Sequence, residues 1–157
     1  MDDVSLALEV LNSAPVGSDA WSDDASLRAW LSDRGFGETA TARAVRADLQ
    51  AVARGDAPAT SLRKWLNRTV RVPAVTATGE LTWPAECPEA DRLAVHAVLG
   101  YFEITATMPG RLRPCGNPEC HLFLLDASRS GTARWCSMAT CGNRLKARRH
   151  HARTKDE

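Results

Sequence analysis

Four of the five cysteines in this chain fall into two matched pairs. Cys115 and Cys120 enclose Gly-Asn-Pro-Glu, Cys136 and Cys141 enclose Ser-Met-Ala-Thr, and fifteen residues separate the pairs. Thiols in this pattern can hold a metal, form disulfides or do redox chemistry. Two local pairs joined by a hairpin supply the four soft donors of a tetrahedral zinc site. Gly116, Asn117 and Pro118 suit the tight reversal between the first two ligands, and HLFLLD after Cys120 reads as a strand. If Ser137 caps a helix starting at Met138, Cys136 precedes the cap and Cys141 is the fourth helical residue. Those are the two positions that meet in a hydrophobic staple, where the positive helix end offsets thiolate charge. A knuckle, a hairpin and a helix bearing the last ligand together make a treble-clef-like zinc finger with four cysteine ligands.

The rival chemistries fit less well. Disulfides belong to oxidising compartments, and the start MDDVSLALEV lacks the basic flank and apolar core of a secretory signal. A cytoplasmic protein is therefore expected, in which close cysteine pairs bind metal or react. A redox pair favours the compact Cys-x-x-Cys spacing, and iron–sulfur runs have other spacings. Four thiolates leave no open position for water, so one structural Zn(II) is expected. The remaining chain offers no Ser/His/Asp set, phosphate loop or supported carboxylate pair, so no enzyme activity is expected. Cys87 is read as an unpartnered thiol, His121 as at most a neighbour of the ligands, and His96 as a helix histidine of core or surface.

A basic tail follows the last cysteine. Residues 144 to 155 hold six Lys/Arg, with no acidic residue before Asp156. On a helix, Arg144, Arg148 and His151 share a face, with Lys146, Arg149 and Arg153 around the side. Arg129 and Arg134, between the cysteine pairs, can add contacts. Such a surface suits phosphates, and arginine also reads guanine edges. DNA is the expected partner, with RNA the alternative nucleic acid. Phe123 and Trp135 are too few for a base-stacking platform and are expected to pack beside Leu145. A solvated helix that only maintains solubility is the plainer reading of the same residues.

The elements that must position this module come before it. The chain has 157 residues, 44% hydrophobic and 25% charged, enough for one globular domain and a small appendage. Residues 1 to 110 carry ten Lys/Arg against fifteen Asp/Glu, a balance of −5; residues 111 to 157 carry ten against four, a balance of +6. Two modules are implied, residues 1–108 and 109–157, divided at Pro109–Gly110. The first is expected to be mainly helical. DDVSLALEVLNSAP reads as a helix, though Leu6, Leu8 and Val10 also alternate as in a strand. SDDASLRAWLSDRG should start at a Ser22 cap and close at Gly35. ETATARAVRADLQAVARG should bury Val45, Leu49 and Val52, and PATSLRKWLNRTV should bury Leu62, Trp65 and Leu66. RVPAVTATGELTW reads as one short β-hairpin about Thr78 to Glu80. The long helix after it faces the core with either Leu93, Ala97 and Gly100 or Val95, Leu99 and Phe102. The remaining tryptophans are expected in packing, and no stretch reaches the length of a membrane span.

From LRPCGNPEC through WCSMATCGNRLKARRHHAR the chain resembles the CGNR zinc-finger family, whose tetrapeptide is present as Cys141, Gly142, Asn143 and Arg144. The resemblance implies that Cys115, Cys120, Cys136 and Cys141 are the zinc ligands. It also implies a bacterial nucleic-acid-binding protein of the kind described as stress-induced transcription regulators. In that family the finger usually follows an ABATE-type helical domain, and LALEVLNSAP resembles the start of one. Such a domain is expected to sense a small-molecule effector or to pair with a second subunit. A protein–protein adaptor with an acidic partner is the competing reading.

Overall fold

Asp2 starts the first helix, its carboxylate accepting hydrogen bonds from the Ser5 N–H and hydroxyl at 2.8 and 3.0 Å. Those bonds satisfy donors that a helix start otherwise leaves open. Helix α1 spans Asp3–Leu11 and buries Leu6, Ala7, Val10 and Leu11. That is one helical face, so the alternation of Leu6, Leu8 and Val10 is incidental. The computed structural model describes residues 1–37 and 40–143.

Helix α2, Asp24–Ser32, is capped by Asp23 rather than by Ser22 as expected. The Asp23 carboxylate accepts from both the N–H and the hydroxyl of Ser26, and an anion also favours the positive helix end. Gly35 closes the helix at φ +72°, while the Phe36 N–H returns to the Leu31 carbonyl at 3.0 Å. Helix α3, Ala42–Arg54, buries Ala42, Val45, Leu49 and Val52 and ends at Gly55. A run of 3₁₀ turns, Ala59–Leu66, follows Pro58 and buries Leu62. Trp65 and Leu66 are only half-buried. The Trp65 indole N–H must reach the Asp48 carboxylate at 2.8 Å, which keeps the ring at the edge.

Residues 70 to 86 form a ribbon in two ladders. Strand β1 (Val70–Arg71) pairs antiparallel with β4 (Ala85–Glu86), and β2 (Ala74–Val75) with β3 (Leu81–Thr82). The register is the same in both, so this is the single expected hairpin, interrupted where Pro73 and Pro84 cannot donate. Its turn is closed by the Thr76 N–H to the Glu80 carbonyl at 2.9 Å.

Helix α4, Arg92–Thr107, is the centre of the molecule. It buries Leu93, Ala94, Val95, Ala97, Val98, Gly100, Tyr101 and Ile104, so the face with Leu93, Ala97 and Gly100 is inward, and Phe102 is 37% exposed. Helix α1 lies against it with the backbones in contact: a Cβ on Gly100 would stand 1.8 Å from the Asp3 carbonyl oxygen. The crossing is further pinned where His96 Nδ1 meets the Asp3 carboxylate at 2.8 Å.

After the turn at Gly110, strands β5 (Leu112–Pro114) and β6 (Phe123–Leu125) form a third antiparallel pair, with Pro114 opposite Phe123. The fold is thus mixed, with helices packed on one another and three short antiparallel pairs beside them, rather than mainly helical with one hairpin. The apolar core crosses the expected module boundary. Phe123 is 2% exposed and belongs to the same buried cluster as Leu11, Leu49 and Leu93. The Asn12 side-chain amide grips the Phe123 backbone from both sides, accepting from its N–H at 2.7 Å and donating to its carbonyl at 3.2 Å. Arg54 adds a hydrogen bond to the His121 carbonyl and lies over the Phe123 ring.

Gly100→Ala should lower the unfolding free energy by about 3 kcal/mol, because α1 and α4 must separate to admit one methyl group. Phe102→Ala, on the exposed side of the same helix, should change it by less than about 1 kcal/mol. Urea denaturation of both variants measures the contrast.

Candidate metal centre

The β5–β6 pair carries the first two cysteines at its mouth. Beyond Pro114 the Cys115 N–H donates to the Leu122 carbonyl, and the Cys120 N–H to the Asn117 carbonyl, both at 2.8 Å. These bonds close the knuckle. The second pair arrives on a separate segment, pinned by the Gly116 N–H to the Arg134 carbonyl at 2.8 Å. Ser137 then caps a single helical turn, Met138–Gly142, accepting from the Thr140 N–H at 3.4 Å. The turn is wide: the Gly142 N–H reaches back five residues to the Ser137 carbonyl. Cys136 and Cys141 occupy the predicted positions on either side of this cap, their sulfurs 3.7 Å apart.

All four sulfurs lie within 4.8 Å of one another, and the Cys120 and Cys136 sulfurs are 3.6 Å apart. Disulfide sulfurs stand about 2.05 Å apart, so these are free thiols. A tetrahedron with zinc–sulfur distances of about 2.3 Å has edges of about 3.8 Å, and the two close pairs already match it. Cys115 and Cys141 are buried, Cys120 and Cys136 half-buried. The four cysteines can hold one zinc ion, with every position of the tetrahedron filled by sulfur.

Asn117 supports the cluster from within. It is 1% exposed, and its amide donates to the Cys141 sulfur at 3.5 Å. That bond foremost, against burial and with the help of the neighbouring thiols, lowers the Cys141 thiol pKa to about 7. The Cys136 and Cys120 thiols are instead pushed up, by burial first. Four thiolates crowded this closely repel one another, and a dication removes that conflict. The Cys136 N–H points at the Cys115 sulfur at 3.4 Å.

The two Cys-Gly-Asn triplets have a shared packing reason. A Cβ on Gly116 would lie 2.9 Å from the Arg134 carbonyl oxygen and 3.1 Å from the Trp135 ring. On Gly142 it would lie 2.8 Å from the Met138 sulfur and 3.2 Å from the same ring. Trp135 thus sits against both glycines, each next to a ligand. The expected pairing of Phe123 with Trp135 beside Leu145 does not form: Phe123 enters the helical core, and Leu145 lies outside the described residues.

The loop between the pairs is built around Asp126, whose side chain is fully buried. It accepts from the Ser128 hydroxyl and N–H, from the Ala133 N–H and from Arg113. The Ser128 hydroxyl foremost, then the backbone donors and Arg113, hold this carboxyl below its usual range. Its support of the loop is therefore complete above the ordinary carboxylate pKa and is lost only as pH falls through the depressed value. Nothing in the sequence pattern singled out Asp126, and its only signal was an acidic residue closing an apolar strand.

Arg113 also donates to the Gly131 and Ala133 carbonyls, and Arg111 to the Ser128 carbonyl. Arg129 and Arg134 are exposed, Arg134 lying over the Trp135 ring. Arg144, Lys146, Arg148, Arg149 and Arg153 lie outside the described residues. His121 contributes a carbonyl to Arg54 rather than a ring nitrogen to the cluster. Cys87 is half-buried and stands apart.

Residues 111–154 match the family model described as CGNR zinc finger. The matched segment contains all four clustered cysteines and begins beyond α4, so the ABATE resemblance of the first helix lies outside it. Comparison with curated proteins gives no match. Among the described residues no helix is long and apolar enough to cross a membrane.

Purified protein should carry about one zinc per chain, and Cys136→Ser or Cys141→Ser should lose it and unfold the finger. Metal analysis with circular dichroism tests this; a metal-free, folded finger would refute it. Asn117→Ala should weaken zinc binding about 10- to 100-fold by removing the bond that favours the Cys141 thiolate. Competition with a chromogenic chelator reads that loss.

Proposed function

We propose that this protein is a DNA-binding transcription regulator in which one structural zinc ion braces a basic surface against the phosphate backbone. The observation that carries the reading is the continuity of the thiolate cluster with cationic sequence. Six Lys/Arg follow within residues 144 to 155, directly after the segment that holds Cys141. Zinc fixes the base from which this sequence departs. With four thiolates and one Zn(II) contributing −2, the balance of residues 111 to 157 is still about +4, so the basic character survives metal binding.

The described arginines divide by role. Arg111 and Arg113 hold the loop between the ligand pairs, whereas Arg129 and Arg134 are exposed and available to phosphates. Together with Arg144, Lys146, Arg148, Arg149 and Arg153 they form the proposed contact set. The metal has no substrate position, since all four places go to sulfur, so its role is structural, and the reading assigns the protein no enzyme activity. The acidic residues of the N-terminal part keep it away from phosphates and leave it to sense a small molecule or pair subunits. A bacterial cytoplasmic setting goes with this reading.

If four to six cations neutralise phosphates, log affinity for duplex DNA should fall against log salt with a slope of roughly −4 to −5. Replacing Arg148 and Arg149 together should make the slope shallower by about 2 and weaken all sequences alike, while Arg144→Ala should relax sequence preference if that side chain reads a base. Fluorescence titrations of labelled duplex, single-stranded RNA and an acidic polymer at several salt concentrations measure both. Equal affinity for all three ligands, or no duplex binding at low salt, would reject the regulator in favour of an adaptor.

A further inference from the structure

No residue of the ribbon 70 to 86 belongs to the buried core cluster or packs against it, and its exposure is unusual. Among the described residues nine large hydrophobic side chains are exposed, and five are on this ribbon: Val70, Val72, Val75, Leu81 and Trp83. Single exposed apolar residues are ordinary, but a contiguous group marks an interaction surface.

The register sorts them by face. Val75 lies opposite Leu81, and Ala74 opposite Thr82; Arg71 lies opposite Ala85. Side chains alternate along a strand, so Val75, Leu81 and Trp83 share one face. The continuing register sets Pro73 opposite Trp83 on that face. Val75 is 70% exposed, Leu81 63% and Trp83 52%. Each ladder has only two strands, and a two-stranded ribbon with a bare apolar face is marginal in water without something packed on it.

Charge narrows the occupant. Residues 70 to 86 contain one cation, Arg71, and two anions, Glu80 and Glu86, so nothing here attracts nucleic acid or an anionic membrane. Arg71 is the one charged residue of the ribbon on the apolar face, at its base, because alternation puts Glu80 and Glu86 on the other face. When two ribbons lie antiparallel the two arginines stand at opposite ends and do not oppose the contact. Area points the same way. Pro73, Val75, Leu81 and Trp83 together expose on the order of 400 Å² per copy, hence about 800 Å² of apolar surface in a pair. A homodimer interface is about 65% apolar, which corresponds to about 1,200 Å² in total, the lower end of what stable association buries.

We propose that this ribbon is a homodimer interface, in which the face bearing Val75, Leu81 and Trp83 packs on the same face of a second copy about a two-fold axis. The contact is isologous, with the two Arg71 side chains at its opposite ends. Its small area sets a dissociation constant in the micromolar range. It does not depend on the DNA-binding reading, since the ribbon is distant in sequence and chemistry from the basic tail.

Sedimentation of the zinc-loaded full chain between about 1 and 300 µM tests the interface. The wild type should pass from monomer to dimer over that range. Leu81→Glu and Val75→Glu should each raise the dissociation constant more than about tenfold. Val16→Glu, at another exposed site, and Val70→Glu, on the opposite ribbon face, should leave it within about threefold. Circular dichroism and zinc content establish that the variants remain folded. Amide exchange should slow in residues 70 to 86 as wild-type concentration rises. A wild type that stays monomeric throughout, or a dimer indifferent to Leu81→Glu, would overturn the proposal.

Discussion

The structure depends on the double hydrogen bond between the Asn12 amide and the Phe123 backbone. Asn12 ends α1 and β6 begins at Phe123, so two segments more than a hundred residues apart meet in one planar contact. A backbone N–H and carbonyl at the start of an edge strand otherwise need water, and the amide satisfies both. With those groups satisfied, the Phe123 ring can enter the apolar core among residues of α1, α3 and α4. Two residues before it the chain passes the His121 carbonyl, held by Arg54, and one residue earlier it reaches the ligand Cys120. The thiolate cluster is thus anchored to the helical core through a strand of three residues.

This anchoring explains a division of labour between two kinds of stability. The helical part is held by burial, with Gly100 letting two backbones touch. The finger has too few apolar residues for a core of its own and relies on a buried carboxylate, a buried amide and the metal. Asp126 gathers four donors to shape the loop, and Asn117 spans from the knuckle to the second ligand pair. Each removes a polar conflict in a small volume, which is what makes a short loop adopt one shape.

Much of this was legible in the sequence, and the reason differs by element. The cysteine spacing sufficed because metal ligation demands few residues at fixed separations, and the staple relation of Cys136 to Cys141 follows from one cap residue. Helices α1 to α4 were readable from periodicity and glycine stops. The Asp23 cap was missed because three candidate caps stand in a row, and only the folded geometry selects among them. The role of Phe123 was missed because periodicity reports burial, not which core receives the side chain. Asn12, Asn117 and Asp126 act through contacts distant in the chain or within an irregular loop, where no local pattern announces them. The basic tail was read from composition, helical spacing and resemblance, and its residues lie beyond those described.

One ring touching two glycines ties the ligand pairs together in a way that bears on their inheritance. A side chain at Gly116 would meet the Arg134 carbonyl and the benzo edge of Trp135, whereas one at Gly142 would meet Met138 and the opposite, pyrrole edge of the same ring. Moving the ring away from one glycine therefore changes the room at the other, so the costs of substitution at the two positions do not add. Inheritance of glycine at one Cys-Gly-Asn triplet is thus tied, through position 135, to inheritance of glycine at the other.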